Sequence, residues 1–164
     1  MIAIISDTHM PKGERRLPDA CLRQLASAEA IVHAGDLCTL EVLARLRGIG
    51  PPVTAVHGNV DDGAVRAALP PAATVRLGRH TIAVLHDAGP AAGRLARMHR
   101  RFPDADAVVF GHSHLPLIET AGDGGFAIVN PGSPTERRRA RSHTMALARL
   151  DSGGGLRFEL VALG

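Results

Sequence analysis

No tryptophan and no tyrosine occur in these 164 residues, and phenylalanine occurs only four times. A core built from this chain has few rings to fill it, so Ala, Val, Leu and Ile must carry the packing. Hydrophobic residues make up 45% of the sequence, enough for an aliphatic core in one domain spanning residues 1–164. The same shortage weighs against nucleic acid, because single strands are gripped largely by aromatic stacking. Contact with a phosphate backbone alone needs no rings and stays open. Cysteine is confined to Cys21 and Cys38. Two such thiols make neither a disulfide framework nor a close-spaced metal motif, so a reducing, cytoplasmic setting is the default. No apolar run approaches the ~20 residues of a membrane span. The opening Met1-Ile2-Ala3-Ile4-Ile5 lacks the basic flank and the length of a signal peptide, so no membrane partner is expected.

Lysine is also nearly absent. Lys12 is the only one, and the net charge of +3 is carried by arginine. The densest run is Arg137, Arg138, Arg139 and Arg141. Guanidinium groups match phosphate oxygens bidentately, which suits a small phosphorylated substrate. An ordinary solvated surface is the plainer account of such a run. Arg137 is the residue proposed from it for substrate binding.

Apolar runs and breakers alternate along the chain. Residues 2–5, 30–33 and 53–56 read as buried strands. Helices are expected over 18–28, with Pro18 in the first turn, over 40–47, stopped by Gly48, and over 61–69, ended by Pro70-Pro71. Hairpins are expected at 74–77/81–85, at 115–120/126–129 around Gly122-Asp123-Gly124-Gly125, and at 144–150/156–161. A helix over 91–101 and a buried strand over 107–110 fall between them. The first half is thus β-α-β-α-β and the second mostly hairpins. That order predicts an α/β fold: a four-layer α/β/β/α sandwich of two mixed sheets flanked by helices.

Metal-ligating residue types gather where the strands end. The clusters are Asp7-Thr8-His9, Gly35-Asp36, Gly58-Asn59-Val60-Asp61, His86-Asp87 and Gly111-His112-Ser113-His114. Each alone is weak: Gly-Asp and Gly-Asn are ordinary turn chemistry, and a lone His at a strand end is usually structural. The Gly-His-Ser-His element is the strongest, with two imidazoles flanking one residue and Gly111 permitting a tight turn. Together they place seven candidate ligands, Asp7, His9, Asp36, Asn59, His86, His112 and His114, outside the carboxyl ends of strands, where sites in such sheets form. The set is carboxylate, imidazole and one amide, without thiolate. It favours Mn²⁺ first, with Fe, Zn²⁺, Ni²⁺ or Co²⁺ as alternatives, over oxygen-only ions. Seven ligands are too many for one ion, and a shared carboxylate between two divalent ions solves the count.

These clusters, with Asn130-Pro131-Gly132-Ser133, resemble the calcineurin-like metallophosphoesterases. The short length and the Asn-Pro-Gly-Ser element are similar to the small YfcE-type phosphodiesterase branch. The resemblance implies that Asp7, His9 and His114 hold one metal, that Asn59, His86 and His112 hold a second, and that Asp36 bridges both. It implies a metal-dependent phosphodiesterase acting on a small phosphodiester by in-line attack of a metal-bridging hydroxide, with Asp36, Asn59 and His112 at the catalytic centre and Asn59 also touching substrate. A phosphomonoesterase with the same two-metal site is the first alternative. A non-catalytic scaffold, like the retromer subunit of this fold, is the second, and retention of all seven ligands weighs against it. A homo-oligomer stays open. Two positions depart from the family pattern. Val60 stands where many members have a His that protonates or orients the leaving group, which leaves water or another His such as His57 to donate the proton. Asp87 stands where Gly is usual, either as a solvated loop charge or as a support for an imidazole. The Asn-Pro-Gly-Ser element is expected to shape a turn beside the site, and loops 10–17, 87–91 and 134–143 to form the pocket walls.

Overall fold

Strand pairing assembles two five-stranded sheets. In the computed structural model, which describes residues 1–122 and 124–164, the first sheet joins β1 (Ile2–Ile5), β2 (Ala30–His33) and β3 (Val53–Ala55) in parallel. The hairpin of β9 (Thr144–Leu150) and β10 (Leu156–Ala162) completes it, with β9 antiparallel to β1. The second sheet joins β5 (His80–Leu85), β6 (Ala107–Val109) and β8 (Ala127–Asn130) in parallel. Its edges are β4 (Ala72–Leu77) and β7 (Leu117–Thr120), each antiparallel to its neighbour.

Side-chain alternation along these strands sets the layers. Ile2 and Ile4 of β1 meet Val84, Val109 and Val129 of the other sheet in the central layer. Ala3 and Ile5 point the opposite way, against α1 (Asp19–Ala26), α2 (Leu40–Arg47) and α3 (Gly63–Ala68) through Leu25, Leu43 and Val65. In the second sheet, Ala83, Val108 and Ile128 turn outward onto Met98 of α4 (Arg94–Arg101). Three apolar layers separate four layers of secondary structure, as the α/β/β/α reading requires. The first two are aliphatic except where Phe158 packs at the margin of the central one, and the other three rings (Phe102, Phe110 and Phe126) gather under α4.

Several boundaries differ from the sequence reading for local reasons. The helix expected over 61–69 begins at Gly63 because Asp62 caps it, its carboxylate accepting from the Val65 amide at 2.8 Å. The helix expected over 91–101 begins at Arg94, after Gly93 turns in the left-handed region at φ 66°. The strand expected from 115 starts at Leu117, beyond Pro116, which has no amide to give. The turn expected at 122–125 includes Asp123, which lies outside the described residues. No helix among the described residues is long and apolar enough to cross a membrane.

Candidate metal centre

All five clusters leave the carboxyl ends of parallel strands: β1, β2 and β3 in one sheet, β5 and β6 in the other. The two sheets present these ends side by side. Asp7, His9, Asp36, His112 and His114 all have positive φ, between 45° and 70°. Such backbone turns the chain sharply off the strand, is several-fold enriched in Asp and His among non-glycine residues, and collects at functional sites. The loops are tied together before any side chain is considered. Asp7 N–H donates to Gly35 O and His9 N–H to Asp36 O, each at 3.0 Å, and Gly111 N–H donates to His86 O at 2.9 Å.

The seven side chains converge. His9 Nε2 lies 3.2 Å from His114 Nε2, 3.8 Å from Asp7 Oδ1 and 3.7 Å from Asp36 Oδ2. His114 Nε2 is 3.3 Å from Asp7 Oδ1. On the other side of Asp36, the same Oδ2 is 3.2 Å from His86 Nε2. Asn59 Oδ1 sits 3.0 Å from His86 Nε2 and 2.9 Å from His112 Nδ1. Asp36 Oδ2 is therefore shared by two groups of ligands. Asp7, His9, His114, Asp36 and His86 are buried, while Asn59 and His112 are exposed.

The donor chemistry tests whether cations fit. His86 donates through Nδ1 to Ala34 O at 2.8 Å, and His114 through Nδ1 to Glu136 O at 2.6 Å. With Nδ1 so engaged, each ring turns its Nε2 inward, the arrangement ligating histidines use through the Nε2 lone pair. Those lone pairs face carboxylate oxygens, and at His86 also the Asn59 amide oxygen. Acceptors meeting acceptors in a buried space require a positive charge between them. A proton is the smallest answer. Burial pushes His86 down, but Asp36 and Asp7 outweigh it and raise the ring above its ordinary value. Burial would likewise raise the carboxyls, yet His114, His9, His86 and Ser6 hold Asp7, and His86 with the Val60 amide hold Asp36, below the usual carboxylate range. Two groups, Asp7–His9–His114 and Asp7–Asp36–His86, have ligand atoms close enough to share an ion. Mixed oxygen and nitrogen donors without thiolate fit a divalent transition cation.

Close packing explains the glycines. A Cβ on Gly58 would meet Asp36 Oδ1 at 2.1 Å, and one on Gly111 would meet Ser6 Oγ at 2.0 Å and Asp7 Oδ2 at 2.5 Å. At this turn the positive φ falls on His112, at 70°; Gly111 is glycine because the Asp7 loop passes against it.

Asp61 and Glu136, whose roles the sequence does not announce, hold the loops together with Ser133 of the Asn-Pro-Gly-Ser element. Asp61 is buried, and its carboxylate accepts from the amides of Asp36 (3.0 Å), Cys38 (2.6 Å) and Gly58 (2.6 Å). Ser133 Oγ donates to Asp7 O at 2.8 Å and accepts from the Glu136 amide at 2.8 Å. Glu136 brings Oε2 to 3.9 Å from His9 Nε2 and pairs with Arg15 at 3.2 Å. Asn130 donates to Gly111 O and Ser113 Oγ at 2.8 and 3.0 Å, so the Asn-Pro-Gly-Ser element shapes the loop beneath the histidines. Asp87 is exposed and accepts from the Gly89 amide at 2.7 Å, a turn contact rather than support for an imidazole. Arg137 is exposed and donates to Arg141 O at 3.0 Å within its own loop. Beneath the Asp7 loop, burial pushes His33 down to about 4, so the ring is neutral, with Nε2 3.1 Å from Thr8 Oγ1.

A cleft of about 290 Å³ opens beside Asn59 and His86. A larger cavity of about 460 Å³ lies by the starts of β5, β8 and β10, lined by His80, Phe126 and Phe158. In the second sheet that is the end opposite the clustered ligands, so size does not mark the chemistry here.

A two-sheet sandwich with this His–Asp–Asn cluster at its parallel strand ends has the build of a metallophosphoesterase. The chain belongs to the calcineurin-like phosphoesterase superfamily, whose domain model matches residues 1–153. A probable metallophosphoesterase of Methanothermobacter thermautotrophicus is 30% identical over the whole chain and 93% of its own length. Among solved structures, wild-type Vps29 of Entamoeba histolytica complexed with Zn²⁺ superposes with a TM-score of 0.74 at 22% identity, covering 99% of each chain. The phosphoesterase YfcE from E. coli superposes with a TM-score of 0.63 at 22% identity, again over 99% of each. Divalent-metal binding and phosphoester hydrolysis are the family's chemistry.

Proposed function

We propose that residues 1–164 act as one domain that hydrolyses a small phosphodiester at a site for two divalent cations. Asp7, His9 and His114 hold one, Asn59, His86 and His112 the other, and Asp36 is common to both. The observation that carries this reading is the sharing of Asp36 Oδ2, 3.7 Å from His9 Nε2 and 3.2 Å from His86 Nε2. The Zn²⁺ bound by the Entamoeba Vps29 supports cation binding on this fold. Bound cations would supply Lewis-acid polarisation of the phosphoryl oxygens and activation of a water.

The chain's own groups do the rest. Ala34 O and Glu136 O fix the His86 and His114 tautomers so that both lone pairs face inward. The His112 amide, at 3.0 and 3.2 Å, aligns the Asp7 carboxylate. Asn59, exposed on the substrate side, presents its amide toward an incoming phosphoryl group. Val60 is 45% exposed at the same rim and has no proton to give a departing oxygen. Rate should therefore rise steeply as the leaving alcohol becomes more acidic. The cleft beside Asn59 and His86 favours a diester, because a second ester arm needs room that a monoester does not.

Metal-stripped protein reconstituted in turn with Mn²⁺, Fe²⁺, Co²⁺, Ni²⁺ and Zn²⁺ tests the proposal. Bis(p-nitrophenyl) phosphate should be cleaved faster than p-nitrophenyl phosphate, with Mn²⁺ the best ion, and chelator should abolish both rates. Faster cleavage of the monoester would reassign the substrate. Absence of hydrolysis with every ion would leave the fold as a scaffold.

A further inference from the structure

We infer that the cleft beside Asn59 and His86 selects a phosphodiester whose second arm carries a negative charge, with Arg101 as the recognising cation and Asp87 as its counterweight. The inference rests on the diesterase reading and specifies its substrate class.

Six residues define the cleft's chemistry: His57, Asn59, Arg66, His86, Asp87 and Arg101. Asn59 and His86 are proposed metal ligands, so whatever enters the cleft is continuous with the phosphoryl group. The wall carries two guanidinium groups in different states. Arg66 is committed: Nε donates to Asp61 O at 2.9 Å and Nη2 to Asn59 O, which fixes the loop that presents Asn59. Arg101, the last residue of α4, is exposed and has no carboxylate within 4.0 Å among the described residues. Its Cζ lies 5.3 Å from the centre of the Phe102 ring, which steadies the side chain. A guanidinium held at the mouth of a cleft with its donors open is suited to a carboxylate or phosphate on the ligand. Asp87 faces the same space, and its Oδ1 is occupied by the Gly89 amide at 2.7 Å. It repels an anionic arm and moderates the preference set by Arg101. Leu85 and Pro71 leave part of the wall apolar, which suits the carbon spacer of such an arm.

Two substrates separate arm charge from chemistry: p-nitrophenyl propyl phosphate and p-nitrophenyl 3-carboxypropyl phosphate share a leaving group and differ only by the terminal carboxylate. With metal-loaded wild-type protein, kcat/KM should favour the carboxypropyl diester by about three- to five-fold at low salt, the scale of one exposed ion pair. Arg101→Ala should bring the ratio to about one, Arg101→Lys should restore part of it, and Asp87→Asn should raise it. Arg100→Ala, on the same helix outside the cleft, should leave it at the wild-type value. High salt should collapse the wild-type preference by screening. A wild-type ratio of one, or one that Arg101→Ala leaves in place, would overturn the assignment while the diesterase reading stands. Turnover of neither diester would remove that reading and the assignment with it.

Discussion

Asp7, His9 and His114 lie buried on one side of Asp36, whereas Asn59 and His112 stand exposed on the other. The residue types are similar and the surroundings are not. On the buried side, Ser6, Ser133 and Thr135 bond to the side chain or backbone of Asp7, and the charged groups interact through protein rather than water. On the open side, Asn59 Oδ1 has His86 and His112 as partners and solvent beyond them. Under the proposed two-cation reading, the buried half would hold its ion firmly and the open half would meet substrate. Asp36 couples them, and Asp61 below it locks three amides of the two loops that carry Asp36 and Asn59.

The coupling predicts the largest effect. Asp36→Asn should lower affinity for both ions and reduce turnover by orders of magnitude, read by metal content after dialysis and by steady-state rates. Near-wild-type values would dissolve the distinction between the halves, because nothing would then join them. Gly58→Ala should come close to the same loss without touching a ligand, since the new Cβ would sit 2.1 Å from Asp36 Oδ1. A folded variant by circular dichroism with full activity would show that the carboxylate has room to move.

His114→Ala and His112→Ala sharpen the contrast directly. Each should lose one equivalent of metal, but His114→Ala should also lower thermal stability because it opens a buried space, while His112→Ala should change Tm little. Equal destabilisation would contradict the burial difference. Next in size is Asp61→Asn, which exchanges a charged acceptor of three amides for an amide. It should cost about 1–3 kcal/mol of stability and about 10- to 100-fold in metal affinity, the usual effect of disturbing groups that orient ligands.

The smallest effect is pH dependence in the metal-free protein. Asp7 and Asp36 have depressed folded-state values, so their contribution is present above the unfolded carboxyl pKa of about 4 and is lost as pH falls through the folded value. His86 is raised, so its contribution is full below about 6.5 and is lost as pH rises through its folded value. His33, held at about 4 by burial, costs stability as pH falls below about 6.5. Melting of stripped protein should therefore peak toward the upper of those limits, and bound metal, which displaces the proton from His86, should flatten the alkaline side. A stripped protein most stable above pH 8 would contradict the pairing of His86 with Asp36.

Much of this was legible in one dimension. The strands at Ile2–Ile5 and Ala30–His33 and the helix at Leu40–Arg47 fall at the residues their apolar periods and stop signals indicate. The layered fold followed from the same patterns, and the family from the resemblance carried by the clusters at strand ends and by Asn130-Pro131-Gly132-Ser133. The destination of the β9–β10 hairpin was not legible. It extends the first sheet beside β1, although it lies in the hairpin-rich half of the sequence, because pairing partners are chosen by tertiary contact. Asp61 and Glu136 were also silent as site residues, since their work is done on backbone groups and on neighbours distant in sequence.

Sequence alone set which chemical groups are present and at which strand ends they emerge, because side-chain period and turn chemistry are local. Tertiary structure alone decided that Asp36 Oδ2 reaches both His9 and His86, that His112 is wet while His114 is dry, and that Arg101 rather than Arg137 lines the cleft. Those facts depend on how two sheets from different stretches of chain bring their ends together, and no local pattern carries that distance.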